Sequence, residues 1–240
     1  MSIIDCSLVV PCFNEEGNIE FFMEKCSEFL SNPKHEIILV NNGSNDKTEE
    51  KINIFLNREN VKKVNVKKNI GFGDGVIQGL KECRGELLCY SHSDNECDPS
   101  DIIRAIKTYS KEQNNNMILV KGERIDRLSN GWSYFDIFIS TGMSVFESLL
   151  FRMKLYDIHA QPVLFHKTFQ KFMKNPPNDF MLDLYMMVIA KKNKIPIKRF
   201  PVHFNKKGRL YGTPQLNEFK KKINISILRI LSSVKYFNKW

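Results

Sequence analysis

No uncharged apolar run in this sequence exceeds ten residues. The longest, 137–146, is about half of the roughly 20 residues a spanning helix needs, so no transmembrane segment is expected. The first residues lack a basic stretch leading into an apolar core and a small-residue cleavage site, so export is not expected either. None of the six cysteines (Cys6, Cys12, Cys26, Cys83, Cys89, Cys97) forms a CxxC pair, which leaves no zinc framework. Without an export signal they are expected as reduced thiols of a cytosolic chain. There is no internal repeat and no Gly/Ser-rich linker. Acids are nearly missing from the last quarter. Residues 184–240 hold 14 Lys/Arg and the single acid Glu218, whereas residues 1–183 hold 22 Lys/Arg and 26 Asp/Glu. A basic tail on an acidic body implies contact with phosphates, whether on nucleic acid, anionic lipid or a small ligand. No basic motif interleaved with aromatics of the RRM or KH kind is present, so a nucleic-acid partner is not expected.

What is there has globular composition: 42% hydrophobic and 26% charged residues over 240 positions. Apolar runs at 7–10, 37–40, 61–66, 87–90 and 117–120 alternate with helix patterns at 15–32, 46–57, 74–84 and 99–112. That alternation predicts a parallel sheet with crossover helices. Beyond residue 120 it breaks. Segment 134–151 is strongly apolar and reads as core or as the interface of a homodimer. Short strands are expected at 163–166 and 197–204, a helix at 179–192 behind Pro176-Pro177, and a basic amphipathic helix at 219–237. The chain reads as one domain over 1–214 with an elaborated second half, followed by a C-terminal helix over 215–240.

Open parallel sheets bind ligands at the carboxyl ends of their strands, so the residues after each run carry most weight. The first strand ends in Pro11-Cys12-Phe13-Asn14-Glu15-Glu16, which reads as a strand stop with helix-capping acids or as an aromatic and acid held at a site. Cys12 reads as a small packing residue. The second strand ends in Asn41-Asn42-Gly43-Ser44-Asn45-Asp46, a good βα turn in which the two Asn could also read a base edge or a ribose. The third leads to Asn69-Ile70-Gly71-Phe72-Gly73, which misses the dinucleotide fingerprint and suggests close backbone approach to a ligand or a helix. The fourth ends in His92-Ser93-Asp94-Asn95-Glu96-Cys97-Asp98-Pro99. There an imidazole and a carboxylate one residue apart can hold a divalent ion against a diphosphate.

Taken in order, these segments resemble the motifs of family 2 glycosyltransferases, in the branch similar to dolichyl-phosphate mannosyltransferase. The family patterns are P-x-Y/F-N-E, V-D-D-G-S-x-D, N-x-G-x-G and D-A-D-x-Q-x-x-P. Lys121-Gly122-Glu123-Arg124, Asp157-Ile158-His159-Ala160-Gln161-Pro162, Asp179-Phe180-Met181-Leu182-Asp183 and Pro201-Val202-His203-Phe204 with Arg209-Leu210-Tyr211-Gly212-Thr213 extend the resemblance over about residues 5–214. It implies a GT-A fold: a Rossmann-like, open, mainly parallel sheet with helices on both faces. It also implies a nucleoside-diphosphate sugar donor, inversion at the anomeric carbon, and Mn²⁺ or Mg²⁺. Carried over residue by residue, it puts Pro11, Phe13, Glu15, Asn41, Asn42, Gly43, Asn69, Gly71, Gly73, Ser93 and Arg124 around the donor. Asp94, with His92, would bind the metal or the diphosphate. Asp183 would stand at the acceptor as base or orienter, and Arg209 would reach the diphosphate.

Three departures bear on the chemistry. Asn41 and Asn42 replace both acids of V-D-D-G-S, and His92 replaces the first acid of D-A-D. Asn accepts a hydrogen bond as Asp does but also donates one, which leaves the base open. His92 suits Mn²⁺ better than Mg²⁺, and the lost carboxylates equally allow metal-independent transfer or a sugar-nucleotide binder that supports a partner enzyme. His159 reads as an ordinary loop residue. Helix 219–237 either packs with a solvated basic face or docks on the inner face of a membrane, beside a polyprenyl-phosphate, lipid-linked or polysaccharide acceptor.

Overall fold

The structure, a computed structural model, describes residues 4–112, 117–204, 218–237 and 239. Seven strands form one sheet: β1 (Cys6–Cys12), β2 (His35–Asn42), β3 (Val61–Val66), β4 (Leu87–Tyr90), β5 (Leu119–Arg124), β6 (Val163–His166) and β7 (Ile197–Val202). Their spatial order is β3-β2-β1-β4-β6-β5-β7. Strands β1 to β4 pair in parallel, as do β5 and β7, while β6 runs antiparallel between β4 and β5. The strands at 61–66, 87–90 and 163–166 coincide with the sequence-based expectation.

Side-chain alternation sorts the core into two layers. Leu8, Val10, Ile37 and Leu39 face one layer, with α1 (Ile19–Lys25), α2 (Ser27–Leu30), α3 (Thr48–Asn53) and α5 (Ser100–Ser110). Val9, Ile38 and Val40 face the other, with α4 (Phe72–Lys81) and α7 (Leu182–Lys192). The expected helix 15–32 is broken at Cys26, so α1 and α2 are separate elements. All six cysteines are free thiols, and burial pushes that of Cys12 up to about 12, in keeping with a packing role.

Helix α6 (Tyr134–Phe151) starts at a capping box in which Ser133 and Asp136 bond reciprocally. It has 18 residues with a mean hydropathy of 1.2, long and apolar enough by length and composition to cross a membrane. Counting uncharged runs missed it, because Asp136 and Glu147 interrupt the run near its ends. Nor is it core: Tyr134, Phe138, Val145 and Leu149 are exposed. Helix α8 (Glu218–Phe237) packs on α6, and its central Arg229 turns inward onto the buried Glu147, donating from Nε over 2.8 Å and from Nη2 over 2.5 Å. The middle of α8 therefore presents apolar side chains outward, among them Ile227, Leu228 and Leu231.

Candidate active site

The carboxyl ends of β1, β2 and β4 open onto a hollow of about 230 Å³, lined by Pro11, Phe13, Glu15, Asn42, Asn69, Phe72, His92, Ser93 and Asp94. Residues that the sequence puts on four separate strand ends thus share one space. Crossed hydrogen bonds hold the rim together. The β1 loop donates from Asn14 N to Ser44 Oγ over 3.1 Å and from Glu15 N to Thr48 Oγ1 over 2.8 Å. The β2 loop returns Asn45 N to Asn14 Oδ1 over 2.9 Å and Lys47 N to Glu16 Oε2 over 2.8 Å. Asn14 takes a left-handed φ of 55°, which its short polar side chain tolerates.

Within the hollow, Phe13 is the exposed aromatic at 43%. Glu15 accepts from Asn18 Nδ2 over 2.5 Å, and Ser93 Oγ donates to Pro11 O over 3.2 Å. Asp94 Oδ1 accepts from Glu96 N over 3.1 Å, and the His92 ring lies on Phe72 with centroids 4.6 Å apart. Asn42 donates from Nδ2 to Gly71 O over 3.0 Å, while its buried Oδ1 has no hydrogen-bond partner among the described residues. An orphaned buried acceptor is costly enough to point to a donor supplied from outside the fold.

Several expected site residues stand elsewhere. Asn41 is buried, and its Oδ1 accepts from Ser44 N over 3.2 Å, so it shapes the turn instead of lining the hollow. Gly43 serves the same turn with φ +73°, and a Cβ there would come within 2.5 Å of Asn69 N. Gly71 and Gly73 give close approach, but to the backbone of 177–179, which a Cβ on either would strike. Arg124 is not in the hollow. Its Nε donates to Asp157 Oδ1 over 2.6 Å, and its guanidinium lies over Trp132 and Phe204. The buried Asp157 carboxylate holds it there. Arg209 and the rest of 209–213 lie outside the described residues.

Beyond Phe72 and His92 lies a second, buried cluster around Asp183, the second residue of α7. Its carboxylate accepts from Tyr90 Oη over 2.9 Å, from Gln161 Nε2 over 3.0 and 3.2 Å, and contacts His159 Nδ1 at 3.2 Å. The fully buried Lys121 Nζ sits 3.8 Å from Oδ1 and has no hydrogen-bond partner among the described residues, and the same holds for Gln161 Oε1. Burial alone would raise the Asp183 pKa, yet the Lys121 ammonium and the His159 hydrogen bond outweigh it and hold the carboxyl well below the usual range. Burial draws Lys121 down to about 8 against the pull of Asp183. Burial also lowers His159, with Arg229 adding to the effect. An ionised carboxylate only accepts, so His159 donates from Nδ1. Sequence reasoning passed over Tyr90, Lys121 and His159. The signals for Lys121 were a charge placed directly after the apolar run 117–120 and its place in the Lys121-Gly122-Glu123-Arg124 segment.

A cleft of about 730 Å³ lies on the far side of the Asn69–Ile70 loop, between Lys174 to Asp179 and Tyr236. Larger though it is, it contains none of the strand-end motifs apart from Ile70.

The arrangement has counterparts. Residues 7–168 match the pattern of glycosyl transferase family 2. The chain is 27% identical over 212 residues to a dolichyl-phosphate beta-glucosyltransferase of Trichomonas vaginalis, covering 83% of this chain and 65% of that one. It is 29% identical over 139 residues to the dolichol-phosphate mannosyltransferase of Pyrococcus furiosus, covering 57% and 38%. The chain thus spans less than two thirds of the length of these relatives. Glucosyl-3-phosphoglycerate synthase of Mycobacterium tuberculosis, solved with Mn²⁺, UDP and phosphoglyceric acid, superposes with a TM-score of 0.70 at 16% identity, covering 96% of this chain and 78% of that one. That likeness shows the GT-A-like fold. With the family pattern matched over most of the chain and the seven-stranded sheet arranged as GT-A requires, this chain belongs to glycosyl transferase family 2.

Proposed function

We propose that this protein is an inverting glycosyltransferase. It would move a sugar from a nucleoside-diphosphate sugar to a polyprenyl phosphate or another lipid-linked acceptor, on the cytosolic side of a membrane. The observation that carries the reading is the convergence of Phe13, Asn42, His92 and Asp94 on one hollow at the carboxyl rim. Phe13 offers a face for the base, and the unpaired Asn42 Oδ1 offers an acceptor for a base or ribose donor. Asp94 and His92 face the place where a diphosphate would lie.

The donor set bears on the metal. One carboxylate and one imidazole, completed by phosphate oxygens, suit Mn²⁺ better than Mg²⁺. Among the described residues no group of three or more His, Cys, Asp or Glu could hold an ion without the ligand. Asp94 and His92 would hold Mn²⁺, which when bound neutralises charge gathering on the departing diphosphate. The leaving group gains charge as the anomeric centre becomes oxocarbenium-like, so a cation held at the diphosphate favours that state over the ground state.

The acceptor end supports a phosphate over a sugar hydroxyl. A hydroxyl needs a base within reach, whereas Asp183 already accepts from three donors beside a buried ammonium. A phosphate arrives ionised and needs no base. Asp183 then acts as a fixed charge that orders Tyr90, His159 and Gln161. The polyprenyl- and dolichyl-phosphate transferases among the relatives agree with this choice.

A thermal-shift screen of UDP, GDP and CDP and their sugars, with and without Mn²⁺, tests the donor half. One nucleotide series should raise Tm in a Mn²⁺-dependent manner, because a ligand bound to the folded state stabilises it by mass action. No shift with any nucleotide would contradict the reading. A shift without turnover would favour the second reading, a sugar-nucleotide binder for a partner enzyme, which the replacement of three family carboxylates by Asn41, Asn42 and His92 keeps in view.

A further inference from the structure

Helices α6 and α8 are inside out. On α6, Tyr134, Phe138, Val145 and Leu149 are 79%, 72%, 54% and 74% exposed. They recur at spacings of four and seven residues, so they form one stripe about 22 Å long at 1.5 Å per residue. On α8, Ile227, Leu228, Leu231, Val234 and Phe237 are exposed as well. The two acids of α6 point the other way. Glu147 is fully buried and takes both Arg229 nitrogens and Ser233 Oγ, the last at 3.1 Å. Asp136 is closed into its capping box. Water selects the opposite arrangement, with the apolar stripe inward and the ions outward. A contiguous apolar surface of this extent on a soluble domain marks an interaction site.

The charge at its margins says what covers it. Among the described side chains of the two helices none is an exposed acid. Arg152 and Lys154 are exposed directly after α6, and Lys235 is exposed on α8. An uncharged apolar centre bordered by cations complements an anionic bilayer surface, where rings and aliphatic chains enter the acyl boundary and lysines meet the headgroups. A partner protein with an apolar patch would not call for that one-signed border.

We propose that α6 and α8, locked together by the Glu147–Arg229–Ser233 contact, lie side by side in the interface of an anionic membrane. The pair cannot release α6 alone into the bilayer without unpairing the buried Glu147, so the two helices dock as a unit. The acceptor-side cluster is the one in which His159 bonds to Asp183. On the glycosyl-transfer reading, docking brings that cluster to the depth of a lipid phosphate. The docking itself does not depend on that reading.

The test is vesicle flotation of the full chain. Vesicles of phosphatidylcholine with a quarter phosphatidylglycerol are compared with phosphatidylcholine alone, at low and high salt. Two double variants, Phe138→Glu with Leu149→Glu and Leu228→Glu with Leu231→Glu, are measured beside the wild type. Wild type should float with the anionic vesicles and lose part of its binding in salt. Each variant should bind about tenfold less or weaker at unchanged Tm, because exposed positions carry little folding energy. Failure of the wild type to float, or equal flotation of both variants, overturns the proposal. Light scattering separates the main rival: a stable dimer that the same variants split, with no vesicle binding, would make the face a dimer interface. No donor or acceptor enters these measurements, so their failure and a failure of glycosyl transfer are distinguishable.

Discussion

The two ends of the sheet each bury an ionised carboxylate, and they treat it differently. At the amino ends, Glu36 accepts from Ser7 Oγ over 2.7 Å, Arg84 N over 2.7 Å and Arg84 Nε over 2.8 Å, with Lys62 Nζ at 3.4 Å. No buried polar side-chain atom in that group is left over. At the carboxyl ends, the Asp183 cluster and the hollow leave Asn42 Oδ1, Lys121 Nζ and Gln161 Oε1 without hydrogen bonds among the described residues. A polar cluster that is fully satisfied serves the fold. One that keeps donors and acceptors in reserve is built to be completed by something else. The carboxyl rim also holds left-handed Asn14 and Asn95 at φ 55° and 60°, a backbone cost accepted where the ligand is expected.

The contrast predicts a double dissociation. The largest effect belongs to Asp94→Ala, which should lower sugar transfer at least about 100-fold while Tm stays within about two degrees, measured by product formation and thermal unfolding. Loss of both together would make Asp94 structural. Arg84→Met should do the reverse. It takes the guanidinium from the buried Glu36 carboxylate, leaving Ser7, the residue 84 N–H and Lys62, and should reduce unfolding free energy by about 2 kcal/mol in urea titrations, with transfer per folded molecule unchanged. Next comes Phe13→Ala, which should weaken donor binding about tenfold by calorimetry with no change in stability, in line with about 1–3 kcal/mol for stacking a base.

The smallest effect is in pH. Burial would raise the Glu36 pKa, but hydrogen bonds from Arg84 and Ser7 outweigh it and set it below the ordinary 4.5. A carboxyl with a lowered folded pKa adds stability that is complete above its unfolded pKa and fades as pH falls through the folded one. Wild-type Tm should therefore hold down to about pH 5 and drop below about 4.5. In Arg84→Met the part of that drop due to Glu36 should shrink, and an unchanged acid profile would remove Arg84 from the account.

Most of the sheet was legible because its strands are short apolar runs closed by turn residues, and β3, β4 and β6 fall where the pattern puts them. The antiparallel β6 was legible as a strand but not in its direction, which depends on the path of the chain after α6. The hollow was legible because its residues follow strands directly. Of the Asp183 cluster only Asp183 itself was singled out, since Tyr90, Lys121, His159 and Gln161 come from three distant parts of the chain and meet only through packing. The pairing of Arg124 was not legible, because its partner, Asp157, lies 33 residues away. The outer face of α6 was hidden for a further reason: hydrophobic periodicity says that a helix has an apolar side, not whether that side faces the core.

The most direct measurement is release of nucleoside diphosphate when the wild type and Asp94→Ala are given the stabilising donor, Mn²⁺ and a short-chain polyprenyl phosphate. Acceptor-dependent release by the wild type, with a matching loss of the donor sugar and little release by Asp94→Ala, is the predicted result. Equal release by both proteins, or donor binding with no acceptor-dependent release at all, would contradict a carboxyl rim built for glycosyl transfer.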